Sequence, residues 1–250
     1  MTSNETTDSL MTIFIPYHIA GASKNERVLM MTGYINPNYQ YSMSVLDMEY
    51  RRTCTLVKNY EVPVAYAAGG LVKTDQGVQP LLCGGYTSYT PPVYDQCLLG
   101  TSNKDTWQNL CTLPEGRTYM TAVPIADDLI LFSGGLWNND QSNETKIFNE
   151  TFLLSKDGIT TPLEDLSEAR ELACSAVIHE DGNRRTVAVI GGQSRNTTDL
   201  KSIELYNCTV GKSPDCTKID NGPDMPNSRS SFGCGTLQTS NVSIQTTCLE

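Results

Sequence analysis

Three times along this chain an apolar run ends in a pair of glycines: Pro80-Leu-Leu-Cys-Gly-Gly-Tyr86, Leu129-Ile-Leu-Phe-Ser-Gly-Gly-Leu136 and Val187-Ala-Val-Ile-Gly-Gly-Gln193. A weaker copy stands earlier, at Val28-Leu-Met-Met-Thr-Gly-Tyr34. A unit recurring at tens of residues marks a repeat architecture, in which no unit can bury its apolar face alone. Each run is preceded by a second apolar segment across a polar link. Thr118 to Ile125 leads through Ala126-Asp-Asp128 to Leu129, and Leu172 to Ile178 leads through His179 to Arg185 into Thr186 to Ile190. Asp181-Gly182 in the latter link can supply the positive φ of a tight hairpin turn. The segments are near-continuously apolar rather than alternating, which is the pattern of strands covered on both faces.

After each glycine pair the chain turns polar and then returns as a third segment: Tyr41 to Leu46, Tyr94 to Leu99, Phe152 to Leu154 and Ile203 to Tyr206. A short fourth follows, for example Trp107 to Leu113. Each period therefore supplies about four strands, and no segment sustains a helical period. Ahead of the first strands stand Pro114-Glu-Gly-Arg117, Ser167-Glu-Ala-Arg170 and Pro226-Asn-Ser-Arg229, with successive arginines 53 and 59 residues apart. Pro63-Val-Ala-Tyr66 reads as a degenerate version of the same signature. The units fall near 11–60, 63–113, 117–165 and 170–220, with a partial unit at 229–250, all within one domain spanning 1–250.

Composition narrows the partners and the compartment. With 18 basic against 28 acidic residues, the formal net charge of −10 repels a phosphate backbone, so nucleic acid is excluded as a partner. No window reaches the ~18 consecutive apolar residues of a membrane-spanning helix. The nine cysteines include no CxxC pair, and two histidines, His18 and His179, accompany them, so disulfides explain them better than zinc. Cys97 and Cys111 occupy the third and fourth strands of one unit, and Cys208 and Cys216 the same strands of a later one. Each pair is expected to staple an outer hairpin, while Cys54, Cys83, Cys174, Cys234 and Cys248 remain unassigned. Sequons at Asn4, Asn143, Asn149, Asn196, Asn207 and Asn241 join the cysteines in favouring an oxidising, secretory compartment. The first residues, Met1-Thr-Ser-Asn-Glu, have neither the basic nor the apolar region of a signal peptide, and we expect the chain to be part of a longer protein.

An apolar strand ending in Gly84-Gly85, followed by Tyr94 and then by Trp107, resembles the Kelch repeat. The gap from tyrosine to tryptophan is longer than the family's usual one, and the other units keep the glycines and an aromatic without the tryptophan. The resemblance implies an all-β fold, a β-propeller of four-stranded antiparallel blades of the galactose oxidase and Kelch superfamily, with about four to five blades in this chain. A full Kelch-type ring has about six or seven, so this would be an incomplete ring, a small ring, or one subunit of an assembled ring. Glycine suits the places where adjacent blades crowd the strand ends.

The resemblance also frames the chemistry. Copper oxidases of the superfamily use two histidines, tyrosines and a cysteine cross-linked to tyrosine, whereas His18 and His179 lie in corresponding hairpins of different units. Asp127-Asp128 reads as a polar turn, and Glu164, Asp165 and Glu168 as a solvated loop beside Arg170. No GxSxG nucleophile turn is present. The repeating arginines either line a face that meets acidic ligands or bond carbonyls and acids between blades. Trp137, in a polar loop just after a glycine pair, and Tyr86 with Tyr89 one unit earlier are the candidate binding-loop residues. The expectation is a secreted, glycosylated, non-catalytic module without metal or cofactor, binding a protein or glycan ligand. Its alternatives are part of a galactose-oxidase-like copper enzyme and a cytosolic Kelch adaptor.

Overall fold

The computed structural model describes residues 27–35, 38–47, 52–55, 64–87, 93–100, 107–139, 144–195, 198–219 and 222–234. For the segments between 27 and 55 the structure describes the backbone alone. Among the described residues every regular element is a strand. The first sheet, ordered β1-β2-β3, comprises β1 (Arg27–Ile35), β2 (Asn38–Asp47) and β3 (Arg52–Thr55). Next come β4 (Val64–Ala65), β5 (Ala68–Thr74), β6 (Gly77–Cys83), β7 (Tyr86–Thr87), β8 (Gln96–Gly100) and β9 (Trp107–Thr112). Of these, β5-β6-β8-β9 form a four-stranded sheet, and β7 returns to pair with β4.

The pattern then repeats. A third sheet, β10-β11-β14-β15, is built from β10 (Thr121–Ala126), β11 (Leu129–Ser133), β14 (Thr151–Ser155) and β15 (Thr160–Pro162). Its side hairpin joins β12 (Leu136–Asn139) to β13 (Glu144–Ile147). The fourth sheet, β16-β17-β18-β19, runs through β16 (Cys174–Asp181), β17 (Arg184–Ile190), β18 (Ile203–Thr209) and β19 (Asp215–Ile219). All pairings are antiparallel. The expected hairpin links are shorter than their polar stretches. Asp127-Asp128 alone turns β10 into β11, and Gly182-Asn183 alone turns β16 into β17, with Gly182 at φ +57°.

The second, third and fourth sheets stack face to face in chain order. Between the second and third lie Leu81, Cys83, Cys97, Leu99, Ile130, Phe132 and Leu154, with the Phe132 and Phe152 rings stacked at 5.3 Å. The opposite face of the third sheet presents Val123, Leu129, Leu131 and Leu153 to Val187, Val189 and Tyr206 of the fourth. Because the third sheet is covered on both sides, all five residues of β11 are buried. Each such large apolar side chain contributes roughly 1.5–3 kcal/mol of transfer free energy. The first strands also touch side to side, through a 2.7 Å hydrogen bond between the Thr121 and Ser175 hydroxyls.

Disulfides join Cys83 to Cys97, Cys174 to Cys234 and Cys208 to Cys216. The last staples the β18–β19 hairpin. The expected Cys97–Cys111 bridge is not formed, and Cys111 carries a free thiol. Cys97 lies on a strand with a neighbour on each side: Cys83 of β6 stands opposite it across one edge and Cys111 of β9 across the other. Pairing consecutive strands by hairpin alone overlooks the first of these. The Cys174–Cys234 bond ties the segment that follows the fourth sheet to that sheet's first strand. Disulfides of this kind persist in oxidising surroundings. Cys248 lies outside the described residues, and Cys54 is described by its backbone only.

Candidate binding face

In the second, third and fourth sheets, the end where the first strand begins and the second stops is built by one recurring device. The segment just after the glycine pair pairs back onto residues just before the first strand: Tyr86 with Ala65, Leu136 with Thr118, and Gln193 with Glu171. Immediately after these partners come Tyr66 at φ +60°, Tyr119 at +56° and Leu172 at +55°, and in the fifth unit Ser231 at +54°. Left-handed backbone is unfavourable for a bulky L-residue and persists where its surroundings overdetermine it. A chain of amides does so here. Tyr119 N–H donates to the Tyr66 carbonyl at 3.0 Å, Leu172 N–H to the Tyr119 carbonyl at 3.1 Å, and Ser231 N–H to the Leu172 carbonyl at 3.0 Å. The Thr118 hydroxyl adds a bond to the Tyr66 carbonyl, and the Tyr66 and Tyr119 rings meet with centroids 4.5 Å apart.

Glycine is required where these ends interlock. The Arg170 carbonyl accepts from Gly135 N–H at 2.9 Å, and a Cβ on Gly134 would stand 2.3 Å from that oxygen. Arg117 approaches Gly84 and Arg229 approaches Gly191 in the same way. Arg117 and Arg170 are thus inter-sheet clamps through their backbones, with side chains buried instead of lining a solvent face, whereas the Arg229 side chain is exposed.

Arg170 points into its own sheet. Its guanidinium donates to the Gly191 and Ser202 carbonyls, to the Ser202 hydroxyl and to the Glu204 carboxylate. Lys218 reaches the other Glu204 oxygen at 2.7 Å. Burial pushes the Glu204 carboxyl up, but the Lys218 hydrogen bond, the Ser167 amide and the Arg170 charge outweigh it and hold it below the ordinary value. Burial likewise pulls the Arg170 guanidinium down against the pull of Glu204. Next to this pair, Tyr206 O–H donates to the Glu164 carbonyl at 2.7 Å, and burial pushes its hydroxyl up to about 12. Arg117 has different surroundings. It lies 3.8 Å over the Phe148 ring and 3.7 Å from Glu150, and its Nε and Nη1 have no hydrogen-bond partner among the described residues.

Several sequence-derived candidates can now be located. Tyr86 and Trp137 sit half-buried in the post-glycine segments of successive units, one position out of step, since Tyr86 matches Leu136. Trp137 stands opposite Lys146, which pairs with Glu115. Tyr89 lies outside the described residues, as do His18, Asn4, Asn143, Asn196 and Asn241. Asn207 is exposed on β18, whereas Asn149 is half-buried and its Nδ2 donates to the Leu166 carbonyl at 3.3 Å. His179 and the Asp127-Asp128 turn are exposed, and Asp127 bonds Lys73 of the neighbouring sheet. Among the described residues, no three His, Cys, Asp or Glu side chains converge as metal ligands do.

Sequence reasoning missed Glu204, although a lone carboxylate inside the apolar strand Ile203-Glu-Leu-Tyr206 was a signal that something cationic must meet it. It also misaligned Tyr66. Counting from the left-handed residue, Tyr66 corresponds to Tyr119 and Val64 takes the arginine's place.

No family model and no curated protein matches the chain. Among solved structures it is similar to one titled "Structure of YjhT", with a TM-score of 0.57 at 13% identity, over 82% of this chain and 65% of that one. The chain thus spans just under two thirds of that neighbour, and the likeness extends to the all-β fold.

Proposed function

We propose that this chain is a Kelch-like β-propeller, or the part of one that carries four units and the start of a fifth, and that it is an extracellular, glycosylated binding module for a protein or glycan ligand. The observation carrying the reading is the concentration of half-buried aromatics, Tyr66, Tyr86, Tyr119 and Trp137, at the one end where the glycine pairs and left-handed turns recur. Aromatic rings give large contact area at small cost in side-chain entropy and present a polar handle, which suits both sugars and protein surfaces. The three disulfides support a secretory compartment, and the acidic balance argues against nucleic acid.

The test is the secreted full chain applied to an array of immobilised glycans and a panel of extracellular protein domains, alongside Trp137→Ala and Tyr86→Ala. Binding lost in both variants, with thermal unfolding unchanged, supports the assignment to this face. Retention of binding in both would move the site elsewhere. Stoichiometric copper in the intact protein would replace the reading with a galactose-oxidase-like one.

A further inference from the structure

Cys83, Cys97 and Cys111 form one row across three adjacent strands. Cys83 of β6 is in register with Cys97 of β8, and Cys97 is in register with Cys111 of β9. Directly opposed residues of antiparallel strands share a face, with Cβ atoms roughly 4.5–5.5 Å apart. Cys83 and Cys97 belong to the apolar cluster between the second and third sheets, and half-buried Cys111 packs against it. The bond joins Cys83 to Cys97, and the free thiol stands on the far side of Cys97 from Cys83. That order, with nucleophile, central sulfur and leaving group on successive strands, is the arrangement that in-line attack on a disulfide needs.

We propose that these residues form a thiol–disulfide relay, in which the Cys111 thiolate attacks Cys97 Sγ, forms a Cys97–Cys111 bond and expels the Cys83 thiolate. One S–S bond is broken and one is made. The proton lost from Cys111 is restored at Cys83, so no external oxidant or reductant is consumed. The exchange has two consequences. In the first form the free thiol is half-buried at Cys111, open to capping or to a mixed disulfide; in the second it is Cys83, which is fully buried and inert as a small apolar side chain. The staple also moves outward. Bonded to Cys83, Cys97 leaves the edge strand β9 held to β8 by backbone hydrogen bonds, whereas bonded to Cys111 it ties that edge strand down. The relay therefore couples thiol accessibility to the hold on the outer strand of this sheet.

Trypsin separates the two forms. No lysine or arginine lies between Thr74 and Asn103, so Cys83 and Cys97 share the peptide ending at Lys104, while Cys111 lies on the peptide from Asp105 to Arg117. Burial pushes the Cys111 thiol above its ordinary value, so the intact chain is incubated without added oxidant at a series of alkaline pH values, quenched in acid and mapped without reduction. The relay is expected to produce the cross-linked pair of peptides, rising to a plateau, with complete loss of that signal in Cys111→Ser and after native alkylation of Cys111 by iodoacetamide. Cys83→Ser is expected to lock Cys97 to Cys111, leaving neither thiol open to iodoacetamide. An internal Cys83–Cys97 bridge alone at every time point, or a folded Cys83→Ser protein in which Cys97 and Cys111 both alkylate, would overturn the proposal.

Discussion

The Arg170 guanidinium and the Glu204 carboxylate meet inside the protein, each side chain 1% exposed, while the backbone carbonyl of the same arginine holds Gly135 of the preceding sheet. One residue thereby fastens two sheets: its main chain reaches backward and its side chain forward. Removing Glu204 leaves the buried Arg170 guanidinium uncompensated, at a cost of about 3–5 kcal/mol, whereas removing Arg170 leaves Glu204 still bound to Lys218 but strips the Gly191 and Ser202 carbonyls of its guanidinium. Arg170→Met and Glu204→Leu are each expected to lower the urea midpoint strongly. The double variant, with both charges gone, is expected to recover part of the loss. Urea unfolding followed by circular dichroism checks this, and equal losses adding without recovery would contradict a coupled pair.

The depressed Glu204 carboxyl makes stability depend on acid. Its folded value lies below the unfolded value of about 4.3. The contribution is therefore fully present above that unfolded value and is lost as pH falls through the folded one. Wild-type stability should drop more steeply below about pH 4 than that of Glu204→Gln, which is weaker at neutrality but lacks this titration. Parallel stability curves for the two proteins would show that Glu204 titrates alike in the folded and unfolded chain.

Gly134 and Gly182 are both left-handed, at φ +66° and +57°, yet a Cβ on the first meets the Arg170 carbonyl at 2.3 Å and one on the second meets nothing within 4 Å. Gly182→Ala should cost about 1–2 kcal/mol, the backbone strain alone. Gly134→Ala should cost clearly more, because the neighbouring sheet must also shift. Comparison of the two melting temperatures decides it. Similar shifts would mean that the glycine pairs serve the turn and not the contact between sheets.

Of the sequons in described segments, Asn207 is exposed and Asn149 has its amide nitrogen engaged with Leu166. In protein secreted from a eukaryotic host, Asn207→Gln should remove one glycan from the mass spectrum, and Asn149→Gln should leave the glycan count unchanged. A glycan found at Asn149 would require the Leu166 contact to open.

The sequence by itself determined the strands, the glycine positions and the hairpins, because each rests on local physics. The apolar runs at Leu129 to Phe132 and Val187 to Ile190 suit strands covered on both faces, and Leu129 to Phe132 and Val187 to Val189 are buried while Ile190 is half-buried; Gly182 supplies the turn its dipeptide announced. Cys208 and Cys216, eight residues apart across a short hairpin, were legible for the same reason. What the tertiary structure decided is which groups from distant strands meet. Cys97 had a candidate partner on each side, and strand order with register brought Cys83 opposite it as well as Cys111. Arg170 found Glu204 across 34 residues, and Tyr66 took the place of Tyr119 only once the left-handed turns were aligned in space. Periodicity and turn chemistry act between neighbours along the chain, whereas register and stacking act between segments separated by whole units, and the candidate binding face is made of the second kind of contact.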